Sequence, residues 1–423
     1  MRSLRERLAA LQSSSAPFRQ PSVGGVPIEH VEEGSDQVSD RGTVFVVEQF
    51  SSANQVLNLL QHRQLTTHPY LTTSATVAPH EILFLDTETT GLAGGTGTHA
   101  FLVGLGYFQD GRFVLRQLFM RGPADEAALL QLLRESLGRF RMLVTFNGRT
   151  FDWPLLETRF ILHGYRERFT FDHFDLLHPA RRLWKARLES CSLGNLEAAL
   201  FSVRRDVDVP GFLIPQLYFD YLRDGDGRRL RPVFAHNRED ILTMVRLTDL
   251  LLRAAAEPTA VLEYPEDRVG MALLLLARGQ VLSGLEMLGE AVTDERLSVG
   301  LRRRAEVEFT RGLKRLGRTP EAVPLWLAMC DRSARRPSLD LYPFEELAKF
   351  YEHDARDLDA ALRVVERAQF LLELRGGSAA DHAALTHRLE RLTRRRAARH
   401  RTPTGNGSRD PARVSAAGAS WPI

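Results

Sequence analysis

Cysteine is nearly absent from this chain: Cys191 and Cys330 are the two present in 423 residues. They lie far apart in regions of different pattern and supply neither a disulfide framework nor a zinc-ligand spacing, so a reducing, cytoplasmic setting is expected. Lysine is scarce too. Lys185, Lys314 and Lys349 stand among 56 basic residues, the rest being arginine, a bias of composition and not an adaptation to phosphate. No apolar run is long enough to cross a membrane, and no membrane partner is expected. The start, Met1 to Leu11, alternates charge with leucine; it lacks the continuous apolar stretch of a secretion signal and reads as a short amphipathic helix. Neither sign of charge dominates. With a net charge of +3 and a pI near 9.0, any attraction to a polyanion must come from local patches. What the chain has is length and 43% hydrophobic residues, enough for two folded domains plus tails.

The apolar run from Ile82 to Leu85 closes on Asp86 and Glu88 just before Gly91. If the run is a strand, alternation points both carboxylates to one face, and two like charges held that close are costly unless a cation sits between them. A divalent metal is one reading; a solvated strand end is the other, since a bare Asp-x-Glu is a short motif. Two later segments bear on the choice. Residues 142–147 read as a strand, and 148–152 lead into a helix over 153–162 with Pro154 in its first turn, which puts Asp152 at a helix start, as an N-cap or as a further ligand. Residues 234–252 then read as a helix with Ile241, Leu242, Val245, Leu247, Leu250 and Leu251 on its apolar side, while His236 and Asp240, four apart, share another face.

In order and spacing these segments resemble the three exonuclease motifs of the DEDD superfamily, and residues 80 to 253 resemble most the YprB-type ribonuclease H-like domain within it. The fold this implies is α/β, a ribonuclease H-like mixed sheet flanked by helices. The implied chemistry is hydrolysis of phosphodiester bonds from a 3′ end of single-stranded DNA or RNA. Asp86, Glu88, Asp152 and Asp240 would hold two Mg²⁺ or Mn²⁺ ions about 3.5–4 Å apart, with His236 taking the proton from water. Members that use histidine usually place four residues between His and Asp; three intervene here, the spacing of the tyrosine type. The resemblance also implies that Thr89, Thr90, Leu92, Asn147 and Phe151 hold the terminal nucleotide, although Leu92 and Phe151 read equally well as core. Two other classes stay open: a non-catalytic nucleic-acid or protein-binding scaffold on the same fold, and a hydrolase of small nucleotides.

Between the motifs, residues 100–108 and 112–119 read as a β-hairpin forming an antiparallel set with the Asp86 strand. Residues 124–139 read as helix. The Leu143 strand and the segment 169–175 read as parallel additions, and helices are expected over 179–186 and 193–200. Arg181, Arg182, Lys185 and Arg187 form a basic cluster, either a phosphate track or a solvated helix face. Asp172, His173, Asp175 and His178 are explained by strand-end polarity and helix capping. The Gly-rich run Gly94 to Gly97 lacks the ending of a nucleotide P-loop and reads as a loop near the site. Residues 1–42 are expected to be a helix and flexible linker and 43–255 the α/β domain, with an unplaced strand at 43–48. Residues 256–400 are expected to be an all-α helical-repeat domain, and 401–423 a disordered tail. Gly284, Ala322 and Ala361 recur 38 and 39 residues apart in helix-turn-helix patterns that resemble tetratricopeptide repeats, with degenerate repeats and a plain helical bundle both open, which suggests binding a protein partner or guiding substrate. The arginine-rich stretch 388–401 reads as either helix-end solvation or a nucleic-acid contact.

Overall fold

A computed structural model describes residues 25–51, 77–91, 96–166, 169–205 and 209–401. The expectations for Met1 to Leu11, for Leu92, Gly94 and Gly95, and for the tail after residue 401 lie outside those residues. Seven strands form one mixed sheet: β1 (Gly34–Ser39), β2 (Gly42–Ser51), β3 (Ile82–Thr89), β4 (Ala100–Gln109), β5 (Arg112–Phe119), β6 (Met142–Thr145) and β7 (Asp172–Asp175). Their spatial order is β1-β2-β5-β4-β3-β6-β7. Everything from β1 to β3 pairs antiparallel, whereas β6 and β7 are added parallel. Asp110 and Gly111 turn β4 into β5 with φ of 48° and 73°, the left-handed pair that lets a two-residue turn follow the twist of the strands.

The strand expected at 43–48 is β2, and its place is against β5. Residues 34–39, expected from composition to be linker, are instead the edge strand β1. Apart from an exposed Val38 it carries no apolar side chain, so backbone pairing with β2 defines it and no apolar alternation announces it.

Six helices accompany the sheet: α1 (Glu126–Leu137), α2 (Asp152–Leu162), α3 (Leu177–Trp184), α4 (Leu193–Phe201), α5 (Ile214–Asp224) and α6 (Arg231–Ala256). The sheet face carrying Leu83, Leu85, Val103 and Leu105 shares one buried cluster with Leu129 and Leu133 of α1 and Leu156 and Phe160 of α2. Into the same cluster α5 sends Tyr218, stacked on Phe101 at 4.0 Å and donating to the Met120 carbonyl at 3.0 Å. The other sheet face meets α6.

The chain then becomes all helical: α7 (Pro258–Val261), α8 (Pro265–Ala277), α9 (Val281–Thr293), α10 (Val299–Arg315), α11 (Thr319–Ala334), α12 (Tyr342–Lys349), α13 (Leu358–Arg375) and α14 (Ala379–Arg401). Two compact units divide at Ala305 and Glu306. In the first, α8 lies against α3; a Cβ on Gly270 would sit 2.5 Å from the Arg182 carbonyl oxygen, so only glycine allows that approach. Arg187 is tied to this contact by bonds to Asp267 at 2.8–3.1 Å and by stacking on Tyr264, whereas Arg181, Arg182 and Lys185 are exposed. Gly284 is buried where α9 meets α8, and in the second unit Ala322 and Ala361 are fully buried, so each small residue marks a helix contact. Within that unit three arginines of the arginine-rich stretch form ion pairs: Arg391 and Arg395 both hold the buried Glu352, and Arg396 reaches Asp359 at 3.3 Å.

Candidate active site

Asp86, Gly104 and Gln117 lie side by side across β3, β4 and β5. Residues paired across strands point to the same face, so a glycine lies between an acid and an amide. Asn237 of α6 fills that gap. It is fully buried, its Nδ2 donates to Asp86 Oδ2 at 2.8 Å, and its Oδ1 accepts from Gln117 Nε2 at 2.9 Å. A Cβ on Gly104 would stand 2.2 Å from Asn237 Oδ1, and one on Gly106 would stand 2.5 Å from Ile241 Cγ2. The two glycines, one pleat apart, thus form a lane in which α6 rests with Asn237 and Ile241, one helical turn apart. This seating carries His236 and Asp240 to the end of β3.

Glu88, on the same strand face as Asp86, is buried, and the β3–β4 register shifts between Glu88 and Thr89. Such an irregularity ends the ladder beside the acid and re-aims the next stretch of backbone. Asp152 arrives from the β6–α2 connection. It occupies the first turn of α2, not the capping position, and accepts from the Thr87 hydroxyl, so the N-cap reading is replaced by a side-chain bond to the Asp-Thr-Glu strand. Asp175 builds the turn leading to it, accepting from the backbone N–H of Asn147, Arg149 and Leu177 at 2.8, 3.1 and 3.0 Å. Asn147 sits there with φ of 66°, a conformation asparagine tolerates.

The two β3 carboxylates feel the other acids. Burial, followed by the charges of Asp240, Glu88 and Asp152, holds Asp86 well above the usual carboxylate range, with only the Asn237 bond opposing. Glu88 is raised well above its range by burial and by Asp240 and Asp152, against the pull of Arg205. Burial lifts Asp152 to about 6, although the Thr87 hydroxyl bond works against it. Asp240 bonds Arg205, whose Nη2 donates to Oδ1, and its Oδ2 lies 3.5 Å from His236 Nε2.

Among the described residues no three His, Cys, Asp or Glu side chains stand as a formed metal-binding group; Arg205, Asn237 and Thr87 each engage one of these carboxylates instead. The donors nevertheless suit hard dications. All are carboxylate oxygens at the end of one strand, in mutual repulsion that a single guanidinium offsets in part.

The residues expected to touch a nucleotide have mixed roles. Phe151 is 53% exposed beside Asp152, so it is not core. Thr89 donates to the Gly91 carbonyl, Thr90 Oγ1 accepts from the His99 N–H, and Asn147 Oδ1 accepts from Thr150, which gives each a local structural bond. The Asp172 to His178 group is structural here: His173 bonds Thr145 at 2.8 Å, and burial pushes its imidazole down to about 4.

Sequence reasoning missed four kinds of support: Asn237, Gln117, Arg205, and a buried knot around Glu126. Burial opposes ionisation of Glu126, but bonds from His99, Arg159 and His163 pull it down to about 2. Arg159 Nη1 also donates to the Thr96 carbonyl at 2.7 Å, pinning the end of the loop beyond the Asp-Thr-Glu strand. Only Asn237 had a visible signal, its place beside His236 on an inward-facing helix position.

A family model described as the RNase_H superfamily matches residues 83–252. The uncharacterized protein YprB of Bacillus subtilis (strain 168) is 34% identical over 297 residues, covering 68% of this chain and 69% of YprB. A family B DNA polymerase from the archaeon Pyrobaculum calidifontis overlaps 47% of this chain but 29% of its own length, at 16% identity and a TM-score of 0.32, a likeness too partial to bear on activity. On the family match and the extent of identity to YprB, the chain belongs to the RNase H-like nuclease superfamily, as a relative of YprB.

Proposed function

We propose that the protein is a metal-dependent 3′-to-5′ exonuclease that hydrolyses phosphodiester bonds of single-stranded DNA or RNA. What supports this reading is the nearness of Asp86 and Glu88 on β3 to Asp152 of α2 and Asp240 of α6, whose charges raise the cost of ionising both β3 acids. These side chains would hold two Mg²⁺ or Mn²⁺ ions, which when bound supply the charge that activates water and stabilises the leaving oxygen. Asn237 fixes the Asp86 carboxylate through one oxygen and leaves the other for the pocket. His236 would serve as the base for the attacking water; its Nε2 lies 3.5 Å from Asp240 Oδ2, one turn along α6. Phe151 offers an exposed ring for stacking on the terminal base. Thr89, Thr90 and Asn147 would position the same nucleotide through the backbone turns they hold.

Cys191 and Cys330 are buried and unpaired, which favours a reducing compartment, and we assign the protein to the cytoplasm. No helix among the described residues is long and apolar enough to cross a membrane. We read the helical region as tetratricopeptide-like, serving a protein partner.

The Arg205–Asp240 ion pair favours a second reading, a binding scaffold whose pocket is neutralised from within. One experiment separates the two. Chelator-stripped protein, supplied with Mn²⁺ and 5′-labelled single-stranded DNA and RNA, is expected to shorten the strand stepwise from its 3′ end, while Asp86→Ala, folded to the same degree by circular dichroism, leaves it intact. A wild type as inert as the variant across both nucleic acids would favour the scaffold.

A further inference from the structure

The carboxylate pocket contains a cation of its own. Arg205 lies beyond α4 and Ser202, whose φ of 55° turns the chain at the helix end. Its Nε donates to Glu197 Oε2 at 2.7 Å, its Nη2 donates to Asp240 Oδ1, and its Nη1 lies 3.3 Å from His236 Nδ1. The arginine side chain is 10% exposed and that of Glu197 only 2%. Glu88 feels the same guanidinium.

Glu197 and Asp240, which both hold Arg205, differ in what else they can do. Glu197 lies on α4, outside the acidic quartet, and is buried where a lost partner would leave a bare charge, so the Nε bond is a fixed tether. Asp240 belongs to the quartet, and its Oδ1 is an oxygen that a hard dication would draw on. A guanidinium and a dication cannot both claim that oxygen fully. Once released, a planar fork still anchored through Nε would turn its outer nitrogens toward the pocket, with the geometry that suits a phosphate.

We propose that Arg205 is a tethered stand-in cation: it competes with the divalent metal for Asp240 and, when displaced while still anchored on Glu197, binds the phosphate of the substrate. The proposal rests on the metal-dependent reading above and assigns a positioning and phosphate-binding residue to that site. It also makes the Arg205–Asp240 pair a resting state in which the repulsion among the carboxylates is partly relieved, and not a sign of a dead centre.

The test needs no turnover. Full-length, chelator-stripped wild type, Arg205→Gln and Arg205→Lys are titrated calorimetrically with Mn²⁺ alone, then with a deoxynucleoside 5′-monophosphate at saturating Mn²⁺. Removing a competitor that holds Asp240 about nine-tenths of the time should tighten Mn²⁺ binding about tenfold in Arg205→Gln. The same variant should bind the monophosphate about tenfold more weakly, through the loss of charge-assisted bonds. Loss of the charge alone would give opposite signs for metal and phosphate in Arg205→Gln, so the same signs in the charge-conserving Arg205→Lys are what a through-space effect would not give. Arg205→Lys keeps the charge but cannot span Glu197 and Asp240, so it should show the same signs with smaller amplitude, and it decides the matter if the glutamine variant fails to fold. Equal or weaker Mn²⁺ binding in folded variants would overturn the role of Arg205 while leaving the metal centre standing. Absence of Mn²⁺ binding in all three proteins would overturn the metal centre and this proposal together.

Discussion

A carboxylate in the first turn of a helix is ordinarily favoured in its charged form by the backbone N–H groups there. Asp152 is held at about 6 all the same, because burial outweighs the Thr87 and backbone bonds that oppose it. The folded pKa therefore lies above the ordinary 3.8, and the folded state binds the proton more tightly than the unfolded one. Stability of the metal-free protein falls as pH rises through that window, roughly 4 to 6, and Asp86 and Glu88 push in the same direction. Asp152→Asn removes the charge, so at pH 8 with chelator it should resist urea better than wild type by on the order of 2–3 kcal/mol, and below about pH 4 the two should coincide. A variant no more stable than wild type at pH 8 would mean that Asp152 is not under strain. His236 admits a kinetic test: if its imidazole takes the proton, His236→Ala should lower the hydrolysis rate by about 10²-fold or more with Mn²⁺ affinity little changed, and an unaltered rate removes it from the reaction. At this scale period-2 spacing puts Asp86 and Glu88 on one strand face and period-3.6 spacing puts His236 and Asp240 on one helix face, whereas the grouping of Asp152 with the other three acids rests on the motif resemblance. Arg205 was not legible, since it lies past a helix end with no pattern around it and owes its place to folding alone.

Among the elements, α6 does most to assemble the pocket, and it depends on what β4 lacks. Gly104 and Gly106 leave the lane in which Asn237 and Ile241 lie. Gly104→Ala would drive a methyl into the fully buried Asn237 amide, and overpacking of this kind costs about 1–3 kcal/mol. It should also loosen Asp86, so chemical denaturation and nuclease rate should fall together, whereas Gly97→Ala, where a Cβ meets nothing within 4 Å, should change stability little. An alanine tolerated at 104 with full stability would mean that α6 does not ride in this lane. The hairpin β4–β5 and the helices over 126–137 and 152–162 could be read from the chain, because Asp-Gly turns and apolar periodicity are local. The glycine lane could not, since it is a relation between a strand and a helix more than a hundred residues apart. Nor could β1, an edge strand of polar residues that only its neighbour defines.

Over the whole molecule, a sheet that reverses from antiparallel to parallel at β3 places that strand's end where side chains from both kinds of neighbour converge. Ligand sites in mixed and parallel sheets favour the carboxyl ends of such strands. In the second unit, from Glu306 onward, Arg391 and Arg395 pair with the buried Glu352 and Arg396 with Asp359, so part of the charge that the sequence offers as a nucleic-acid contact is committed within the fold while the stretch stays largely exposed. The proposed function centres on the acidic pocket. Its most direct test is the anomalous scattering of manganese in crystals of the full-length protein soaked with Mn²⁺. Density bounded by Asp86, Glu88, Asp152 and Asp240 is predicted, with Arg205 turned away from Asp240. Manganese bound elsewhere, or no bound manganese at concentrations that sustain strand shortening, would contradict a metal-dependent centre built on these four carboxylates.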